Sequence, residues 1–278
     1  MKFAICQELY EQTSWSEQCR LIAEAGYAGI EAAPFAMAGG PATLDQATCT
    51  ALRNEAERNG LQIIGLHWLL ARTEGLHLTS PDAAVRQRTA EHLRLLARIC
   101  RQLGGHIMVF GSPQQRNLLP GVQPAQAMEL AAEVFRSCLD EFSACGTTLC
   151  FEPLTPKETN FINTCAEASE LIERVNHPAF QLHQDVKAML GAESAGIPDL
   201  IHRYRHITKH FHVNDTNLLG PGMGETDYRP ILNALIESDY SGWVSVEVFD
   251  YSPGAQHIAV ESINHMQQLL KESCSGSK

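Results

Sequence analysis

The chain has 278 residues, of which 44% are hydrophobic and 19% charged, and it carries a net charge of −11. The length suits one barrel-sized domain of about 250 residues. An acidic chain without a basic stripe repels phosphate backbones, and no run of about 18 apolar residues is present, so neither nucleic acid nor a membrane span is expected.

Nine cysteines occur at irregular spacing without a CxxC pair. They read as reduced, small core residues. The N-terminus MKFAICQELYEQ lacks the length and flanks of a signal peptide. Together these features make a cytoplasmic protein the expectation.

Residues 2–9, KFAICQEL, read as the first strand. Ser14 and Glu17 have the spacing of a capping box for a helix to about Ala25, which Gly26 ends. YAGIEAA at 27–33 is the second strand, and a helix over 45–59 closes at Gly60. LQIIGLHWLL at 61–70 is the third strand. Ser80-Pro81-Asp82 then opens a long helix to about Leu103, stopped by Gly104 and Gly105. The fourth strand is HIMVFGS at 106–112, and a helix follows from Pro124 to about Ala144. TTLCFEPL at 147–154 is the fifth strand, with Thr164 and Glu167 capping the helix to Val175. FQLHQDV at 180–186 is the sixth strand, a helix covers 197–205, and ITKHFHVND at 207–215 is the seventh strand. A helix over 228–238, the eighth strand GWVSVEVFD at 242–250 and a helix over 254–271 complete the series.

Eight strand–helix units without a hairpin signal imply parallel strands closed into a single (β/α)8 TIM barrel of the α/β class. The barrel is expected over 1–272, with a polar tail over 273–278. A doubly wound open sheet is disfavoured because no GxGxxG follows the first strand. The long loops at 71–81 and 216–227 fall on the strand-to-helix side, where loops cover the active site of such barrels.

Charged residues at the ends of apolar strands are costly unless something compensates them. Glu152 in CFEP, Asp185 in LHQD, His212 in HFHVND and Glu247 in VSVEVF end four consecutive strands. Strand alternation puts Glu152 on one face with Cys150 and Glu247 with Ser245, small neighbours that leave room at the axis. Three carboxylates held together repel one another, and a divalent cation removes that cost. Three oxygen donors and one imidazole suit one divalent ion, Mn2+ first, with Mg2+, Co2+ or Zn2+ also accommodated. His210 precedes His212 by two residues, as His183 precedes Asp185, and both read as groups one layer deeper. His210 is the alternative ligand to His212.

Four further residues are candidate substrate contacts. Glu158 can reach back from its loop, His67 lies at the end of the third strand, Arg116 lies in GSPQQR, and Lys187 follows Asp185 by two positions. Glu158 otherwise reads as a solvated loop residue. Glu31 and His67 otherwise read as packed polar core. Trp68 and Phe249 are candidate walls of the site. The Gly-rich GPGMGETD at 220–227 precedes no helix with P-loop spacing, so its phosphate signal is weak.

With EP at 152–153, EPLTPKET around Glu158, Asp185, HVND at 212–215, GMGETDY at 222–228 and VEVF at 246–249, nearly the whole chain resembles the xylose isomerase-like barrel superfamily. Within it the chain is similar to the sugar phosphate isomerase/epimerase group, which includes ketose 3-epimerases. The resemblance implies a divalent ion on Glu152, Asp185, His212 and Glu247, with Glu152 and Glu247 also shuttling a proton beside a ketone. It implies that Glu158 helps hold the substrate. Ala188 stands where the epimerases place a His, and Thr216, Asn217 and Leu218 stand where they place an Arg.

The function so implied is a metal-dependent isomerase or epimerase of a sugar, sugar phosphate or keto-polyol, working through an enediolate. The alternatives are a dehydratase of a keto-polyol or a dehydroshikimate- or inosose-like substrate, and a catalytically silent barrel that binds ligands. An endonuclease of this superfamily would carry more His ligands and a basic surface. The expected partner is a small carbohydrate; the sequence leaves the oligomeric state open, and a homo-oligomer is compatible with it because barrels of this kind often pair through exposed helices.

Overall fold

The computed structural model describes residues 1–275. Eight strands pair in sequence order, all parallel, and β8 returns to β1 to close the barrel. They are β1 (Lys2–Cys6), β2 (Gly29–Ala32), β3 (Gln62–Leu66), β4 (Ile107–Phe110), β5 (Thr148–Phe151), β6 (Phe180–Asp185), β7 (Thr208–Val213) and β8 (Trp243–Val246). The TIM-barrel reading therefore holds. The helices are α1 (Trp15–Ala25), α2 (Gln46–Arg58), α3 (Ala83–Leu103), α4 (Pro124–Cys145), α5 (Cys165–Val175), α6 (Val186–Ala192), α7 (Ile197–Tyr204), α8 (Tyr228–Glu237) and α9 (Ala255–Ser275).

Local chemistry sets the helix ends. Thr164 and Glu167 form the full reciprocal capping box of α5. At α1 only half of the box forms: Ser14 accepts from the Glu17 backbone, while the Glu17 carboxylate turns to Arg20 instead. The sequence reading has no counterpart to α6. It is seven residues long and starts directly after β6, with the Asp185 side chain accepting from the Ala188 N–H as its cap. Helix α9 runs on to Ser275, past the expected start of the tail at 273, and the expected tail residues 276–278 lie outside the described residues.

The main core fills the space between strands and helices, with Ile5, Ile30, Leu66, Phe110, Phe151, Phe180 and Phe211 fully buried. Each such side chain contributes about 1.5–3 kcal/mol by leaving water. Inside the barrel the floor is apolar: Ala4, Ile64 and Trp243 pack together, as do Ile107, Val109 and Cys150. Gly65 is required at the β3–β4 seam, where a Cβ would lie 1.9 Å from the Ile107 carbonyl oxygen. The eight described cysteines are buried and free. No helix among the described residues is long and apolar enough to cross a membrane.

Candidate active site at the mouth of the barrel

The strands are shorter than the sequence pattern implies, and this places the acids. His67, Glu152 and Glu247 each stand one residue beyond the end of a strand (β3, β5 and β8), whereas Asp185 and His212 are the inward-facing residues near the ends of β6 and β7. The β6–β7 register sets His183 beside His210 and Asp185 beside His212, giving two stacked layers. Gly111 makes room for the first acid, since a Cβ there would lie 2.4 Å from Glu152 Oε2.

One ligand atom each from Glu152, His183, Asp185 and His212 lie within 4.8 Å of one another, and all four residues are buried. Glu247 joins this group through His212, whose Nδ1 lies 3.2 Å from Glu247 Oε2. The structure thus brings Glu152, Asp185 and His212 together, while Glu247 touches His212 and groups with Cys6, Glu8 and His67. His183 sits one layer deeper beside His210, as the sequence reading has it, yet its ring reaches up to within ligand distance of Glu152, Asp185 and His212. Both ring nitrogens of His183 are buried without a hydrogen-bond partner. His210 sits apart from the acids at the mouth and pairs with Glu31 at 2.7 Å.

Glu31 is the residue whose importance the sequence understated. It is fully buried and accepts from both His210 and His212, lying 3.1 Å from His212 Nε2. A ring that donates from Nε2 presents Nδ1 to the mouth, where it faces the Glu247 carboxylate. Two acceptors face one another there, and either a proton or a cation between them satisfies both. Asp185 is held as firmly: Oδ1 accepts from the Ala188 N–H at 2.7 Å and Oδ2 from Asn214 Nδ2 at 2.6 Å.

The electrostatics show the strain of gathering acids. Burial, then Glu247 and Asp185, push the Glu152 carboxyl well above the usual carboxylate range. Burial, with Glu247 adding to it against the pull of Lys187, pushes Asp185 up to about 6. Glu247 goes the other way: despite burial, His212 holds it below its ordinary value. Burial, then His212 and His210, keep His183 well below its ordinary value, so it is a neutral imidazole fit to be a ligand. Buried carboxylates that repel, orphaned imidazole nitrogens and a mixed oxygen–nitrogen donor set fit a divalent cation.

Glu152, Glu247, Glu158 and His67 line one small cavity, walled by Trp68 and Phe249. Glu158 is not a free loop residue. Its Oε1 accepts from Lys187 Nζ at 2.7 Å, and its Oε2 accepts from the Thr155 N–H and hydroxyl. The Lys187 ammonium also lies 4.0 Å from the Phe249 ring centroid. His67 Nε2 bonds to Glu8 at 2.7 Å, and both are buried. Sequence reasoning missed Glu8; its only signal is an acid two residues past Cys6, the last residue of β1.

Arg116 is a correction. It is fully buried, and its guanidinium donates to the carbonyls of Phe161, Ile162, Gly111 and Glu152 while stacking 4.4 Å above Phe151. Every N–H is spent on backbone, so it braces the loops after β4 and β5 and has no donor left for a substrate. The Gly-rich loop also serves architecture. Thr226 donates to Asp215 through its N–H and its hydroxyl, and Tyr228 bonds to Asn214, the residue that orients Asp185.

The sequence model for the xylose isomerase-like TIM barrel matches residues 19–269. A probable ketose 3-epimerase of Synechocystis is 25% identical over 228 residues, covering 81% of this chain and 75% of that protein. Among solved structures, D-psicose 3-epimerase with D-tagatose from Clostridium cellulolyticum superposes with a TM-score of 0.84 at 21% identity, covering 97% of this chain and 99% of the other. The 3-keto-D-glucoside 4-epimerase of E. coli superposes with a TM-score of 0.83 at 18% identity, covering 96% and 99%. At those identities the structural likeness carries the fold.

Proposed function

Because the chain belongs to the xylose isomerase-like TIM barrel family, we propose that it is a divalent-metal-dependent sugar epimerase or isomerase that moves a proton beside a carbonyl. The observation that carries this reading is that two buried glutamates, Glu152 and Glu247, face one cavity at the mouth of the barrel. They do so beside a tight group of metal-type ligands. The similarity to a probable ketose 3-epimerase supports the substrate class.

Glu152, Asp185, His212 and Glu247 would hold the ion, with His183 at hand as a further nitrogen donor. When bound, the ion supplies Lewis-acid polarisation of the substrate carbonyl and positive charge for the enediolate. One glutamate takes the proton α to the carbonyl, and the other returns a proton to the opposite face or to the adjacent carbon. Glu31 keeps His212 turned with Nδ1 toward the mouth. Glu158 lines the cavity and, held in place by Lys187, offers a fixed acceptor to sugar hydroxyls. Trp68, Phe249 and Leu154 exclude water from the reacting carbon.

The test is a pair of variants, Glu152→Gln and Glu247→Gln, assayed by deuterium uptake into ketoses in D2O. Each should lose exchange while keeping the native circular-dichroism spectrum. Wild-type exchange in both variants would remove the two glutamates from the reaction.

A further inference from the structure

The inner cavity is not the end of the site. A second, wider cavity of about 510 Å³ adjoins it, and the two share Trp68 and Pro113 in their walls. The outer cavity is bounded by the rings of Phe35, Trp68 and Tyr251, and by the polar side chains of Arg72, Glu11 and Glu8. Glu8 belongs to both, since it lines the outer cavity and bonds His67 of the inner one.

The backbone between the two cavities is held in an unusual state. Trp68 has φ +53° and Arg72 has φ +57°, and Ser112 across the opening has φ +35°. A bulky aromatic in the left-handed region is strained and persists only where its surroundings hold it. The Leu70 N–H donates to Ser112 Oγ at 3.1 Å and so ties the two strained segments together. Trp68 so held lines both the inner and the outer cavity.

The outer wall is built as well. The Arg72 guanidinium lies 4.1 Å over the Phe35 ring and pairs with both oxygens of Glu11, at 2.8 and 3.0 Å. Tyr251 remains 44% exposed beside it. Aromatic faces ringed by fixed donors and acceptors match the two aspects of a pyranose, whose C–H face is apolar and whose rim carries hydroxyls. The charge pattern selects further. Glu8 and Glu11 stand beside an arginine that is already paired, so two carboxylates would repel a phosphate there, whereas a neutral sugar carries no charge for them to repel.

We propose that the outer cavity is a second sugar subsite, and that the substrate is a keto-sugar bearing a neutral glycosidic substituent. The ring that reacts sits in the inner cavity. Its substituent passes Trp68 and lies on Tyr251 and Phe35. This rests on the inner cavity being a ketose site, as proposed above.

The test measures binding apart from turnover. Neutral disaccharides and their matching methyl monosaccharides are titrated calorimetrically into the full chain, into Tyr251→Ala and into Phe35→Ala, each checked for native circular dichroism. At least one disaccharide should bind about tenfold more tightly than its monosaccharide, and the variants should erase most of that ratio. Equal affinity for both sizes, or a ratio that survives both variants, overturns the second subsite. Deuterium exchange on free ketoses is measured in parallel. Exchange without a disaccharide advantage refutes the subsite alone, and loss of exchange on every keto-sugar, glycosylated or free, refutes the reaction on which it rests.

Discussion

Adding Mn2+ to metal-free protein should raise its melting temperature more at about pH 7.5 than at about pH 5. Asp185 sets the size of the effect, because its carboxyl is pushed from 3.8 to about 6. An acid raised in this way holds its proton more tightly in the folded chain than in the unfolded one. Its contribution to stability is complete below 3.8 and is lost as the pH climbs through about 6. A shift of about two units corresponds to a loss of about 3 kcal/mol, to order of magnitude. Above that window the ionised carboxylate is buried among other acids, and a divalent ion relieves the repulsion. An ion at about 100 times its Kd stabilises by about 2.7 kcal/mol, which in a chain of this size is a rise of about 5–10 °C. Below the window, protons compete for the same oxygens, and affinity falls about tenfold per pH unit for each proton displaced. Scanning fluorimetry at both pH values, with and without the ion and with a chelator control, reads the difference. A rise of the same size at both, or a larger one at the lower pH, would refute the reasoning.

Three further outcomes are expected. Glu152→Gln should lower kcat for exchange by about 10²–10⁴-fold with little change in Tm, and a drop in Tm without a drop in kcat would make Glu152 structural. Glu31→Gln should weaken ion binding by about 10–100-fold in calorimetric titration, since it loosens the ring that presents His212 Nδ1; unchanged affinity would separate Glu31 from the site. Arg116→Met should destabilise the chain by about 3–5 kcal/mol, because it strands buried carbonyls on two loops, and near-normal denaturant unfolding would contradict its bracing role.

The barrel was legible because alternating apolar runs and capped amphipathic stretches are local signals, repeated eight times. The acids and the imidazole at the mouth were legible in the same local way, as charged or polar residues at the ends of apolar strands. What escaped was whatever depends on register and on side-chain competition. The β6–β7 pairing sets His183 beside His210, a layer below Asp185, and its approach to the acids depends on side-chain geometry that no local pattern encodes. Glu8 becomes part of the site because the short 3-10 turn over Gln7–Tyr10 carries it to His67. Arg116 carried a plausible signal, a cation in a loop near the mouth. Its fate was decided by four carbonyls brought together from distant parts of the chain. Helix α6 was hidden because Asp185 serves at once as strand end, helix cap and ligand-type side chain, leaving no turn signal between the two elements.

Elemental analysis of protein equilibrated with Mn2+ and freed of excess, run beside deuterium exchange on a panel of free and glycosylated ketoses, tests the site most directly. One ion retained per chain, with deuterium entering next to the carbonyl and both lost in the chelated protein, is the predicted result. Retention of no ion after reconstitution, or full exchange in chelated protein, would contradict it.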